Sequence, residues 1–155
     1  MIRSDEGHKS KVQKLEEFIR QFTRVMIAFS GECESALVAK VARDLLGREN
    51  VLTVTSKSKA LPEANVHEIE RLVQTCDVRH QWIIADEVGN AKPYQFLLQL
   101  ARLWRAEAVL NGDCSDGLTD SIVKSPLAQA GFTKEDVRTY AKEIGIIVLE
   151  KTVNS

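Results

Sequence analysis

Cysteine is scarce in this chain, with three in 155 residues. Cys33, Cys76 and Cys114 form an odd set without a Cys-x-x-Cys spacing, which argues against a disulfide framework and a zinc knuckle and leaves reduced thiols as the reading. An excess of basic residues is also lacking, with 21 Lys and Arg against 22 Asp and Glu. Nucleic acid is therefore not the expected partner, because its backbone demands a cationic surface. Long apolar runs are missing too: residues 25–29 and 144–149 fall far short of the roughly 20 residues that cross a bilayer. No membrane association is expected. Residues 1–17 are polar and charged without a secretory pattern, so a cytoplasmic location is expected. His8, His67 and His80 are scattered without ligand spacing, which gives a zinc or His-based site little support. No internal repeat or low-complexity tract is visible.

What is present is one domain's worth of alternating elements. The first ten residues are expected to be flexible, with a single domain over 11–155. Apolar residues Val12, Leu15, Phe18, Ile19 and Phe22 recur at helical spacing and predict a helix over 11–22. Residues 25–29 form a short continuous apolar run, the pattern of a strand buried on both faces of a parallel sheet. A helix over 35–46 ending at Gly47, a strand over 51–54, a helix over 64–75 and a strand over 80–84 follow. A helix between 93 and 106, a strand over 108–110, a helix over 133–144 capped by Thr133 and a fifth strand over 146–149 complete the series. This alternation predicts a doubly wound α/β domain: a mainly parallel five-stranded sheet, Rossmann-like, with helices on both faces. In such sheets ligands lie outside the carboxyl ends of the strands, so the loops after Phe29, Val54, Ile84 and Leu110 are the ones to search.

The first of these loops reads Ser30-Gly31-Glu32-Cys33-Glu34-Ser35 and joins a buried strand directly to a helix. Its backbone N–H groups belong to the positive end of the helix dipole, a setting that attracts anions. Gly31 permits a tight turn, and the hydroxyls of Ser30 and Ser35 are placed to donate to phosphate oxygens. The alternative is an ordinary strand-to-helix turn with Ser35 as its N-cap.

This stretch resembles the Ser-Gly-Gly-x-Asp-Ser motif of the PP-loop ATP pyrophosphatases, of the adenine nucleotide alpha hydrolase-like superfamily. Three positions match as Ser30, Gly31 and Ser35. Further segments resemble one branch, the ATP-dependent sacrificial sulfur transferases that mature the nickel-pincer cofactor of lactate racemase. They are Leu61-Pro62, the turn Asn111-Gly112-Asp113-Cys114-Ser115-Asp116 and the run of residues 123–138 beginning Val-Lys-Ser-Pro-Leu.

The resemblance implies a domain that binds ATP with Mg²⁺ and adenylates a substrate while releasing pyrophosphate. It places Ser30, Gly31, Glu32, Cys33, Glu34, Ser35, Val54, Gly112, Asp113 and Lys124 around the nucleotide. By their own position after the fourth strand, Asp113 and Asp116 are either ligands of the metal ion or part of a solvated turn. Lys124 is either a point charge for a phosphate or a solvated lysine. No catalytic residue is assigned. The chain departs from the branch in three respects. Glu32 stands at the motif's second glycine and Glu34 at its acidic position, residues 89–96 carry no cysteine, and the sequence stops at Ser155, where the branch continues. A carboxylate about 4 Å from a phosphate oxygen costs on the order of 4 kcal/mol at an effective dielectric of 20. A side chain at position 32 is also expected to exclude the positive φ that glycine allows. The rival expectation is a non-catalytic nucleotide-binding or interaction subunit, working with a separate chain that supplies the C-terminal half or with further copies of itself. Cys33, at a helix N-terminus, is a conceivable nucleophile.

Overall fold

The computed structural model describes residues 4–57, 61–84, 93–114 and 122–146. Its five strands are β1 (Val25–Ala28), β2 (Val51–Lys57), β3 (Arg79–Ile84), β4 (Ala108–Leu110) and β5 (Val123–Lys124). They form one sheet in the order β3-β2-β1-β4-β5, with every pairing parallel. Val25, Met26 and Ile27 of the central strand are fully buried. They need covering on both sides, because alternate residues face opposite layers.

One layer is built from α1 (Ser4–Arg20), α2 (Cys33–Leu46), α3 (Glu63–Cys76), α5 (Pro126–Ala130) and α6 (Lys134–Glu143). Leu15, Ile19, Leu37, Ile69, Leu72 and Val137 from these helices pack with Val25 and Ile27. The opposite layer, among the described residues, is α4 (Pro93–Trp104), whose Ala101 packs with Met26, Leu52, Val54, Ile83 and Val109. The doubly wound parallel architecture read from the sequence is therefore present.

Local chemistry ends the elements where it was expected to. The amide of Gly47, at φ 97°, closes α2 onto the Arg43 carbonyl at 3.0 Å. Thr133 and Asp136 form a reciprocal capping box at the start of α6, with Asp136 N–H donating to Thr133 Oγ1 at 3.1 Å and Thr133 N–H to Asp136 Oδ2 at 2.9 Å.

Three expectations are corrected. The first helix runs over Ser4–Arg20, where the spacing predicted 11–22. His8 docks this end on α6, packing edge-on to the Tyr140 ring and pairing with Glu143. The second strand runs on to Lys57, because Thr55, Ser56 and Lys57 pair with Trp82, Ile83 and Ile84 of β3. The fifth strand of the sheet is Val123–Lys124, paired with Val109 and Leu110. Ile146, expected to open that strand, is buried but lies in no strand, and 147–149 fall outside the described residues.

Candidate nucleotide site

After β1 the chain moves outward through α2 to β2 and β3, then returns past β1 to β4. The order therefore reverses between β1 and β4, which makes the mouth of this gap the ligand position of a doubly wound sheet. The loop after β1 and the segment after β4 both open there.

The β1–α2 loop is held by its own serines. The Ser35 hydroxyl, 2% exposed, accepts from Ser30 N–H at 3.1 Å, donates to the Glu32 carbonyl at 3.2 Å and lies 3.1 Å from Ser30 Oγ. Glu32 N–H donates to Ser30 Oγ at 3.3 Å. Both hydroxyls thus shape the loop. The first intrahelical bond of α2 is Ala36 N–H to the Glu32 carbonyl, at 3.0 Å. The amides of Cys33, Glu34 and Ser35 before it are the first-turn donors that a helix leaves without intrahelical partners. With the dipole, they supply the positive end of the site.

Gly31 carries the positive φ of this turn, 85°. Glu32 sits at φ −88° and ψ 162°, ordinary extended backbone, and its side chain is exposed. The expected conformational obstacle at position 32 is therefore not present.

On the other side of the gap, Gly112 presses against the start of α2. A Cβ built there would lie 2.7 Å from Ser35 N and 2.9 Å from the Glu34 carbonyl carbon. The segment is fixed by Asn111 N–H donating to the Lys124 carbonyl at 3.1 Å and by Asp113 N–H donating to Asn111 Oδ1 at 3.1 Å. Asp113 is exposed, Lys124 is half-buried in β5, and Asp116 lies outside the described residues. Among the described residues no group of three or more His, Cys, Asp or Glu side chains is arranged to hold a metal ion.

Cys33 and Cys114 flank this junction, both half-buried. Burial raises both thiol pKa values, and the nearby Glu34 carboxylate raises them further. Neither carries the depressed pKa of an activated nucleophile. Cys76 is buried in the core, and burial pushes its thiol up to about 11.

Beside the loop, a crevice of about 440 Å³ opens at the carboxyl ends of β1, β2 and β3. Its walls are Ala28, Val54, Leu61, Ile69, Ile83 and Leu97, and its polar rim is Ser30, Thr55 and Ser56. Val54 was anticipated here; most of the rest was not. The extension of β2 explains the rim. Phe29 N–H donates to the Val54 carbonyl at 2.9 Å, and backbone groups of successive strand residues point to alternate sides. The N–H and C=O of Ser56 therefore face the β1 side, beyond Ala28, the last β1 residue paired with β2. At the same rim His80, which has no ligand spacing in the sequence, places Nε2 2.8 Å from Thr55 Oγ1. Burial lowers the pKa of this imidazole to about 4, so it is neutral at physiological pH.

An all-parallel sheet with a phosphate-type loop at its switch point and an apolar crevice alongside defines a PP-loop domain, of the adenine nucleotide alpha hydrolase-like class. A family model described as NAD synthase matches residues 8–99. This is more than half of the chain, and the chain belongs to that family. The solved NH3-dependent NAD synthetase of Campylobacter jejuni superposes with a TM-score of 0.70 at 16% identity, over 90% of this chain and 74% of its own. The pyridinium-3,5-bisthiocarboxylic acid mononucleotide synthase of Lactiplantibacillus plantarum is 29% identical over 153 residues, 83% of this chain and 55% of that protein. An uncharacterized protein of Synechocystis, slr1717, is 28% identical over 163 residues, 89% of this chain and 60% of its own length. The chain thus spans about 60% or less of these two relatives.

Proposed function

We propose that this domain binds ATP, with the base in the apolar crevice and the polyphosphate over the amides of Cys33, Glu34 and Ser35, and that it supports adenylyl transfer. The observation that carries this reading is the junction of the two halves. A preformed anion-receiving turn at Ser30 adjoins a crevice bounded by Val54 and Ile69, and the Ser56 N–H and C=O on the β1 side are the groups we assign to the donor and acceptor atoms of a purine. In the reaction, an oxygen nucleophile of the acceptor would bond to the α-phosphorus as the bond to the β-phosphate oxygen breaks and pyrophosphate leaves. The domain contributes position and fixed dipoles that receive the developing charge. Asp113 and Asp116 are the carboxylates we assign to Mg²⁺, an ion that keeps several waters and needs only one or two protein oxygens beside the phosphates. That ion would neutralise phosphate charge.

The test is thermal denaturation with ATP, AMP and pyrophosphate, each with Mg²⁺, followed by a pyrophosphate-release assay. A ligand at 100 times its Kd stabilises by about 2.7 kcal/mol, which raises Tm by roughly 5–10 °C for a domain of this size. No shift with any of the three at millimolar concentration sinks the proposal. A shift without pyrophosphate release favours the second reading, a non-catalytic nucleotide-binding subunit that works with another chain. The carboxylate of Glu32 at the loop is the observation on that side.

An ATP titration of a variant measures the cost of that carboxylate. Because Glu32 is exposed and in relaxed backbone, only screened repulsion opposes the nucleotide, well below the 4 kcal/mol of a fixed close contact. Glu32→Gly is expected to tighten ATP about two- to fivefold at low salt, with the gain shrinking towards nothing at about 0.5 M salt, where the screening length is only a few ångströms. A gain that persists unchanged at high salt would assign the effect to the backbone instead.

A further inference from the structure

The carbonyl of Phe29 sits immediately before the phosphate loop and past the end of β1, yet it is buried with a residue 2% exposed. Its partner is a side chain: Thr55 Oγ1 donates to it at 2.6 Å. A hydroxyl has one proton, and that proton is committed here, so Thr55 Oγ1 acts as acceptor towards His80 Nε2 at 2.8 Å. The imidazole therefore carries its proton on Nε2. Its ring is held edge-on between Phe29, with centroids 6.0 Å apart, and Trp82, at 4.8 Å. Thr55 and His80 come from neighbouring strands, two residues apart in register and on the same face, since Thr55 pairs with Trp82 and Thr53 with His80.

We infer that Thr55 and His80 are positioning residues that fix the backbone at Phe29, and through it the amides of the phosphate loop, for nucleotide binding. The imidazole leaves the threonine hydroxyl one orientation, and the hydroxyl satisfies a carbonyl that has no other partner among the described residues. The next residue, Ser30, begins the hydrogen-bonded turn with Ser35. The inference rests on the nucleotide reading for its function, and its structural half is measurable in the protein without nucleotide.

Thr55→Val keeps the shape and removes the hydroxyl, Thr55→Ser keeps the hydroxyl, and His80→Phe keeps an aromatic ring without the donor. Amide hydrogen exchange of Ser30 and Glu32, whose N–H groups are bonded within the loop turn, is the direct readout. In Thr55→Val it is expected to speed up about tenfold, as loss of one buried hydrogen bond implies, with ATP binding weakened by a similar factor. Met26 and Ile27 in β1 should keep their protection. Thr55→Ser should recover most of both losses, and His80→Phe should show a smaller loss of about threefold. Unchanged exchange at Ser30 and Glu32 in both Thr55→Val and His80→Phe overturns the inference, whatever ATP does. Absence of ATP binding by the unaltered protein overturns the nucleotide reading while the exchange data still decide the positioning role. Should Thr55→Val fail to fold, His80→Phe decides it alone.

Discussion

Gly112→Ala is expected to remove measurable ATP binding and to lower stability by about 2–4 kcal/mol, the range of an overpacked site that must move backbone. No positive φ is involved at this position, so the cost is purely one of space. The added methyl would meet Ser35 N at 2.7 Å and both the carbonyl carbon and Cβ of Glu34 at 2.9 Å. Two of these three atoms are backbone, which cannot rotate away as a flexible side chain could. Nor can α2 retreat, because Ala36, Leu37 and Val38 directly behind them are fully buried. The segment after β4 must therefore yield, straining the bonds from Asn111 to Lys124 and from Asp113 to Asn111. It would lift away from the amides that we assign to phosphate. Thermal denaturation should show a fall of roughly 5–15 °C, and calorimetric titration should show no ATP heat. A Tm and an affinity both equal to those of the unaltered protein would mean the two loops are not in contact.

The sequence made this junction visible in part. Gly112 was assigned to the site through the resemblance of its turn, but the reason for a glycine there is tertiary: another loop's backbone lies against it. The central strand and α2 were legible because a buried parallel strand and a capped amphipathic helix have local signatures, in residues 25–28 and at Gly47. The last part of β2 was not. Apolar character stops at Val54, and Ser56 and Lys57 read as loop, since only the pairing with β3 makes them strand. Two-residue β5 is too short for any periodicity. The partnership of His80 with Thr55 depends on strand register and so has no local trace, although an inward threonine on a buried strand is a hint that something polar answers it. The cysteines illustrate the opposite case. A helix N-terminus suggested activation of Cys33, but burial raises its thiol pKa and the adjacent Glu34 carboxylate raises it further, against the lowering influence of Arg138.

Gly31→Ala is expected to fail by a different mechanism, one that a second substitution can partly reverse. Here the backbone stands at φ 85°, a region that costs an L-residue roughly 1–2 kcal/mol. In addition, the new methyl would lie 2.6 Å from Ile69 Cγ1. Ile69 is 4% exposed and β-branched on α3, so its side chain has one strongly preferred rotamer and leaving it for the crevice carries a cost. The two terms together predict a loss of about 2–4 kcal/mol, a substantial fraction of the roughly 5–15 kcal/mol that holds a domain together. They separate in a double-mutant cycle. Ile69→Ala removes Cγ1 at its own cost of about 2–5 kcal/mol, and in that background Gly31→Ala should cost about 1–2 kcal/mol less than it does alone. The residual penalty is the backbone term, which no change at Ile69 can relieve. ATP affinity should follow the same division: rescue of packing restores stability, whereas the phosphate loop, forced from its left-handed turn, should remain weakened. Additivity of the two substitutions, measured by denaturant unfolding, would show that Gly31 and Ile69 do not touch and that the crevice wall is not built on the loop.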